Sequence, residues 1–121
     1  MANEINLSAA LSVSNAGVSS TLSSSKSANL TSGVQFQNTQ NVGTSAEALN
    51  LGEAVFTTQY LMIKNTDVTN YVEIALDAPV TAQVFAKLNP GDFIIFPPKT
   101  STLYAKANTA PVVVAVEAVG T

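Results

Sequence analysis

The chain contains no cysteine, no histidine, no tryptophan and no arginine, and each absence removes a chemistry. Without Cys there is no disulfide framework, no thiolate metal ligand and no sulfur nucleophile. Without His, the commonest metal ligand and the commonest general base are both gone. The five cations are all lysines (Lys26, Lys64, Lys87, Lys99 and Lys106), and the net charge is -3. That balance, with no guanidinium fork, speaks against a phosphate-binding surface. Charge of either sign is scarce, at 11% of residues, against about 25% in an ordinary soluble domain. Apolar runs such as residues 111–116 fall far short of the roughly 20 needed for a membrane helix. The opening MANEINLSAA lacks the basic and apolar regions of a secretory signal. The expectation is therefore no enzyme activity, no cofactor, no catalytic, cofactor-binding or metal-site residues, and neither nucleic acid nor membrane as partner.

What is present is apolar and hydroxyl-rich. Hydrophobic residues make up an ordinary 46% of the 121, so Ser, Thr and Asn fill the positions that charges usually hold. A surface so poor in charge suggests that much of it faces other protein. Composition divides the chain near residue 45, since eleven of the twelve serines lie at or before Ser45. Residues 1–45 read as a Ser/Thr-rich β arm or first strands, and residues 46–121 as a β-sandwich core, the two making one structural unit. In the first part Ile5, Leu7, Ala9, Leu11 and Val13 alternate with small or polar residues. After the Asn15-Ala16-Gly17 break the apolar parity is even, through Val18, Leu22, Ala28, Leu30, Val34, Phe36 and Val42. A two-residue period means strand, and disorder does not predict it.

Between the parts, Thr44-Ser45-Ala46-Glu47 fits a capping box, giving one helical turn or equally a tight loop. Beyond it the sequence reads as short strands over residues 60–64, 71–76, 82–88, 93–96, 102–106 and 111–119. Val72, Ile74 and Leu76 are expected to face inward, with Glu73 and Asp77 outward. Asn65, Asp67 and Asn70 suit a turn held by side-chain-to-backbone bonds. Asn89-Pro90-Gly91-Asp92 suits a type II turn, with Gly91 at positive φ. The FIIF run (93–96) and the VVVAV run (112–116) are apolar on both parities, which fits central strands or strands covered by another chain. The class these signals select is all-β: an antiparallel sandwich or jelly-roll-like domain with an amino-terminal strand-forming arm.

Few residues suggest chemistry, and each has a plainer reading. Ser23 and Lys26 match the S-x-x-K string of serine acyl-enzymes, but a spacing of three on a strand puts them on opposite faces. Glu73 and Asp77 share strand parity, yet lie about 13 Å apart as strand residues, too far for a glycosidase pair. The Asn65-Asp67-Asn70 turn lacks the spaced acids and closing Glu of a calcium loop. Asn6-Leu7-Ser8 and Asn29-Leu30-Thr31 are formal glycosylation sequons. Phe36, Phe56, Tyr60, Tyr71, Phe85, Phe93, Phe96 and Tyr104 are read as core packing rather than a stacking platform for sugars or bases.

Three stretches carry a resemblance: YLMIKNTDVTNYVEI (residues 60–74), KLNPGDFIIF (87–96) and LYAKANTAPVVVAVEAV (103–119). In that order and spacing the chain resembles, over about residues 42–119, a family of small proteins of tailed bacteriophages regarded as virion structural proteins. The resemblance includes no catalytic motif. It implies a small β-rich virion component made in the bacterial host cytoplasm and located in the virion, most simply a capsid decoration or cement protein that holds neighbouring capsomers. The expected partners are the major capsid protein or other virion proteins. A homo-oligomer is also expected, because the apolar strands would otherwise be exposed, and a trimer is favoured by analogy with decoration proteins at local threefold positions. The alternatives are a tail or fibre component and, from another class, a carbohydrate-binding module for host attachment.

Overall fold

A computed structural model describes residues 5–29, 34–52, 58–99 and 102–120. The chain divides into two compact units, Met1–Thr31 and Ser32–Thr121. The compositional step near residue 45 does not coincide with this division. The strand just before that step pairs with the last strand of the chain and so belongs to the second unit.

The first unit is built on one long hairpin, β1 (Ile5–Asn15) and β2 (Val18–Ala28), paired antiparallel from Ile5↔Ala28 to Asn15↔Val18. Its two-residue loop, Ala16-Gly17, has positive φ at both positions (39° and 90°), the combination whose twist matches that of the flanking strands. An even loop also explains the parity change in the sequence. With Asn15 opposite Val18, the odd residues of β1 and the even residues of β2 share a face.

The second unit contains β3 (Val34–Val42), β4 (Glu47–Ala48), β5 (Thr58–Asn65), β6 (Val72–Ala75), β7 (Val84–Leu88), β8 (Phe93–Phe96), β9 (Tyr104–Ala107) and β10 (Val112–Gly120). They form two four-stranded antiparallel sheets, in the orders β3-β10-β5-β8 and β4-β9-β6-β7. The pairs nest: β6 with β7, β5 with β8, β4 with β9, and β3 with β10. An eight-stranded ribbon folded over in this way is a jelly roll. The all-β sandwich expected from the strand spacing is what the chain adopts.

The core between the sheets is aliphatic. Val42, Leu61, Ile63, Val112, Val114, Val116 and Ala118 come from one sheet, and Val72, Ile74, Leu88, Ala105 and Ala107 from the other. The VVVAV run is apolar on both parities because β10 is central, with β3 on one side and β5 on the other. The FIIF run differs: β8 is an edge strand, with Ile94 and Phe96 packed against the core while Phe93 remains 54% exposed.

Of the two forms open to residues 44–47, the chain adopts the tight loop and not the helical turn; Glu47–Ala48 is a short strand on β9, continued by the Leu49 N–H donating to the Leu103 carbonyl (2.8 Å). A single turn is too short to nucleate a helix against a ready strand partner. The Glu47 carboxylate still reaches back, accepting from Gly43 N–H (3.1 Å) and Gln40 Nε2 (3.0 Å). Leu76 does not face inward. β6 ends at the buried Ala75, and Leu76, already in the bend that follows, is 48% exposed. The aromatics are not the core, since none of the described ones is fully buried. Phe96 packs against it, Phe36, Tyr60, Tyr71 and Tyr104 are half-buried, Phe85 and Phe93 are exposed, and Phe56 lies outside the described residues.

Candidate assembly surfaces

The hairpin has two unlike faces. One carries Asn6, Ser8, Ala10, Ser12 and Ser14 of β1 beside Ser27, Ser25, Ser23, Thr21 and Ser19 of β2. Its hydroxyls bond across the strands, with Ser12 Oγ and Thr21 Oγ1 3.1 Å apart and Ser27 Oγ donating to Asn6 Oδ1 at 2.9 Å. The other face carries Leu7, Ala9, Leu11 and Val13 beside Lys26, Ser24, Leu22 and Ser20. Leu11 and Leu22 are direct cross-strand partners at 71% and 77% exposure, and Val13 and Val18 are exposed nearer the tip. As a cross-strand pair these solvent-facing leucines form a contiguous apolar patch and make this face a candidate assembly surface.

A second apolar area is the outer face of the β3-β10-β5-β8 sheet. Register places Phe93 beside Lys64 and Ile95 beside Met62, with Val113, Ala115 and Val119 on the adjoining β10. Lys64, Phe93, Val113 and Glu117, which pairs with Met62, are exposed, and Met62, Ile95, Ala115 and Val119 are half-buried. At the neighbouring edge, Phe85 of β7 meets Phe96 of β8 edge-to-face, with ring centroids 5.9 Å apart. The outer face of the opposite sheet is more polar. Glu73 lies in register between Lys87 and Lys106, and the Lys87 ammonium sits 4.2 Å from the centroid of the Tyr71 ring.

The residues singled out for chemistry do not converge. Ser23 and Lys26 stand on opposite faces of β2, paired with Ala10 and Leu7. Glu73 belongs to the charged row of β6, whereas the Asp77 carboxylate turns into its own loop and accepts from the N–H groups of Thr81, Ala82 and Gln83 (3.2–3.3 Å). Partial burial pushes the Asp77 carboxyl up, but the bonds from Thr81, Gln83 and Ala82 outweigh it and hold the group below the ordinary carboxylate range. The same loop places Val80, a β-branched residue, at φ 64° and buries it. Asp67 is also held low, chiefly by the Asn70 N–H (2.6 Å) and then by the Thr69 N–H (2.9 Å).

Asn65 supplies the other half of that turn. Its Nδ2 donates to the carbonyls of Asn70 and Leu88 (both 2.9 Å), and its Oδ1 accepts from the Asp67 N–H (2.8 Å). The carboxamide is fully buried, so the Asn65-Asp67-Asn70 cluster is a hydrogen-bonded brace. Of the two sequons, Asn6 lies on the hairpin and Asn29 just after β2. Among the described residues no group of three or more acidic, His or Cys side chains could hold a metal ion. No helix there is long and apolar enough to cross a membrane. No family model, curated protein or solved structure matches the chain.

Proposed function

We propose that this protein is a structural component of a tailed-phage virion, a capsid decoration or cement protein that stabilises the assembled shell. The observation that carries the reading is the ordered set of three segments, residues 60–74, 87–96 and 103–119, that resembles the phage virion family. Two further features support it. The jelly roll is an architecture used by viral capsid domains, though lectins and cupins share it, so the fold alone is only an analogy. The chain also presents an apolar face on the hairpin with Lys26 as its one charge, and a mixed face on the β3-β10-β5-β8 sheet where Phe93, Ile95 and Val113 lie among Lys64 and Glu117. A protein that binds only the assembled shell stabilises that state by mass action. Partners are the major capsid protein or another virion protein, and the location is the virion.

The test is quantitative mass spectrometry on purified particles, with heads and tails separated. The expected result is many copies per head, and heads stripped of the protein should keep their shape but lose resistance to heat or low salt. Absence from heads would end the cement reading, and presence only in tails would establish the tail or fibre alternative. The carbohydrate-binding alternative shares the jelly-roll analogy but lacks Trp for sugar stacking. Specific hits on a glycan array would favour it.

A further inference from the structure

An isolated two-stranded ribbon is marginal in water, and this one shows a leucine pair to solvent at its centre. The geometry points to a second copy of the same ribbon as its cover, the two apolar faces packed antiparallel about a two-fold axis that crosses the strands between the Ala9↔Ser24 and Leu11↔Leu22 pairs. This inference does not rest on the virion reading.

The argument is one of shape along the register. Five successive pairs make up the open face: Leu7↔Lys26, Ala9↔Ser24, Leu11↔Leu22, Val13↔Ser20 and, at the tip, Asn15↔Val18. The next pair toward the base, Ile5↔Ala28, is excluded because Ile5 is buried and Ala28 half-buried within the chain. Leu11↔Leu22 is a ridge and Ala9↔Ser24 is a hollow beside it. An axis through the middle pair would set Leu11 on Leu11, so the fit places it between this ridge and this hollow, over the four pairs from Leu7↔Lys26 to Val13↔Ser20, with Asn15↔Val18 beyond the overlap. A two-fold axis there lays β1 over β1 and β2 over β2 in reverse direction. Each ridge then fills the other copy's hollow: Leu11 lies over Ala9 of the second copy, and Leu22 over Ser24. Leu7 meets Val13, and Lys26 meets the small Ser20. Laid instead in parallel register, the faces would set ridge on ridge and hollow on hollow, leaving a gap that close packing does not tolerate.

Charge selects the same arrangement. Lys26 is the one charge on this face, and the axis places the two copies' lysines three pairs apart, about 20 Å at two residues per pair. That exceeds the screening length of about 8 Å at physiological salt, so the face has no like-charge barrier against itself. The hydroxyl face, with its Ser and Thr rows, stays toward water.

Area sets the strength. Four pairs of two strands bury about 500–700 Å² in total, from the rise per residue and strand spacing. A stable interface needs roughly 1,200 Å². The pairing is therefore reversible, dissociating on dilution. Its symmetry is two-fold, not the threefold that the decoration analogy favours.

Sedimentation velocity of the full chain, from micromolar to millimolar concentration, tests this. The mean mass is expected to rise from one chain toward two. Leu22→Lys should hold the protein at one chain throughout, while Ser23→Lys, on the hydroxyl face, should associate as the parent does. Both sites are exposed, so circular dichroism should match the parent. Because the chain has no native Cys, an equimolar mixture of Ala9→Cys and Leu11→Cys variants should cross-link through a short bismaleimide more than either variant alone. A mass fixed at one chain to the highest concentration would overturn the proposal. So would a three-chain species, Leu22→Lys associating like the parent, or equal cross-linking in the single-variant samples.

Discussion

Asn65 joins two loops that are distant in sequence. Besides its side-chain bonds, its backbone N–H donates to the Asp92 carbonyl (2.9 Å), and its carbonyl accepts from the Gly91 N–H (3.1 Å). Replacing it by Leu would leave the carbonyls of Asn70 and Leu88 and the Asp67 N–H without their partner. Urea denaturation of Asn65→Leu should show a loss of roughly 3 kcal/mol. Gly91 tests a different term. It sits at φ 84°, and a Cβ there would meet nothing within 4 Å, so Gly91→Ala should cost about 1 kcal/mol from backbone conformation alone. The same turn has Asp92 N–H donating to the Asn89 carbonyl (2.9 Å), as the Asn-Pro-Gly-Asp string leads one to expect. Asp67 and Asp77 give stability a pH dependence. Both are lowered in the folded state, so the stability they contribute is complete above the unfolded value of about 3.9. It is lost as pH falls through their lower folded values. Melting temperature should decline between pH 6 and pH 2 (a range of about four units around that value), and the decline should be shallower in Asp67→Asn.

At the scale of elements, the hairpin was legible because alternation and the Asn15-Ala16-Gly17 break are local signals, and local signals fix parity. Ala16 is its weak point, at φ 39° where an L-residue with a Cβ is disfavoured. Ala16→Gly should stabilise the turn by about 1 kcal/mol, read as slower hydrogen exchange of the β1 and β2 amides. Alternation failed at the end of β6, since nothing in YVEIAL marks that the strand stops at Ala75 and that Leu76 enters the following bend. It also could not place the short β4, whose strand character comes from β9, more than fifty residues away. The aromatics were misjudged for a related reason. Composition shows that a side chain is apolar, but the thickness of the sandwich decides whether a ring fits inside it. Here Leu, Ile and Val fill that space.

At the scale of the molecule, strand spacing indicated the fold class, but the pairing order was not readable, because antiparallel partners such as β3 and β10 carry no sequence mark of each other. The turn residues around Asn65 and Gly91 are braces in the sandwich, and the candidate surfaces lie elsewhere, on faces defined by register. The topology itself gives a prediction. A chain ending at Pro111 would lack β10, the shared partner of β3 and β5. It should remain unfolded by circular dichroism and by NMR dispersion, rather than losing one strand's worth of stability.

The place of β10 also bears on biosynthesis. Of the strands in its sheet, β10 is the last to leave the ribosome and the one that fills the gap between β3 and β5, so that sheet cannot close until β10 has emerged. At about 5–20 residues per second, β3 waits several seconds with its pairing edge open, and a Val-rich strand must then enter between two others. Such non-local closure is slow, on the order of milliseconds to seconds after release. During that wait the low charge that suits the finished surface gives the incomplete chain little protection against its neighbours on the same polysome.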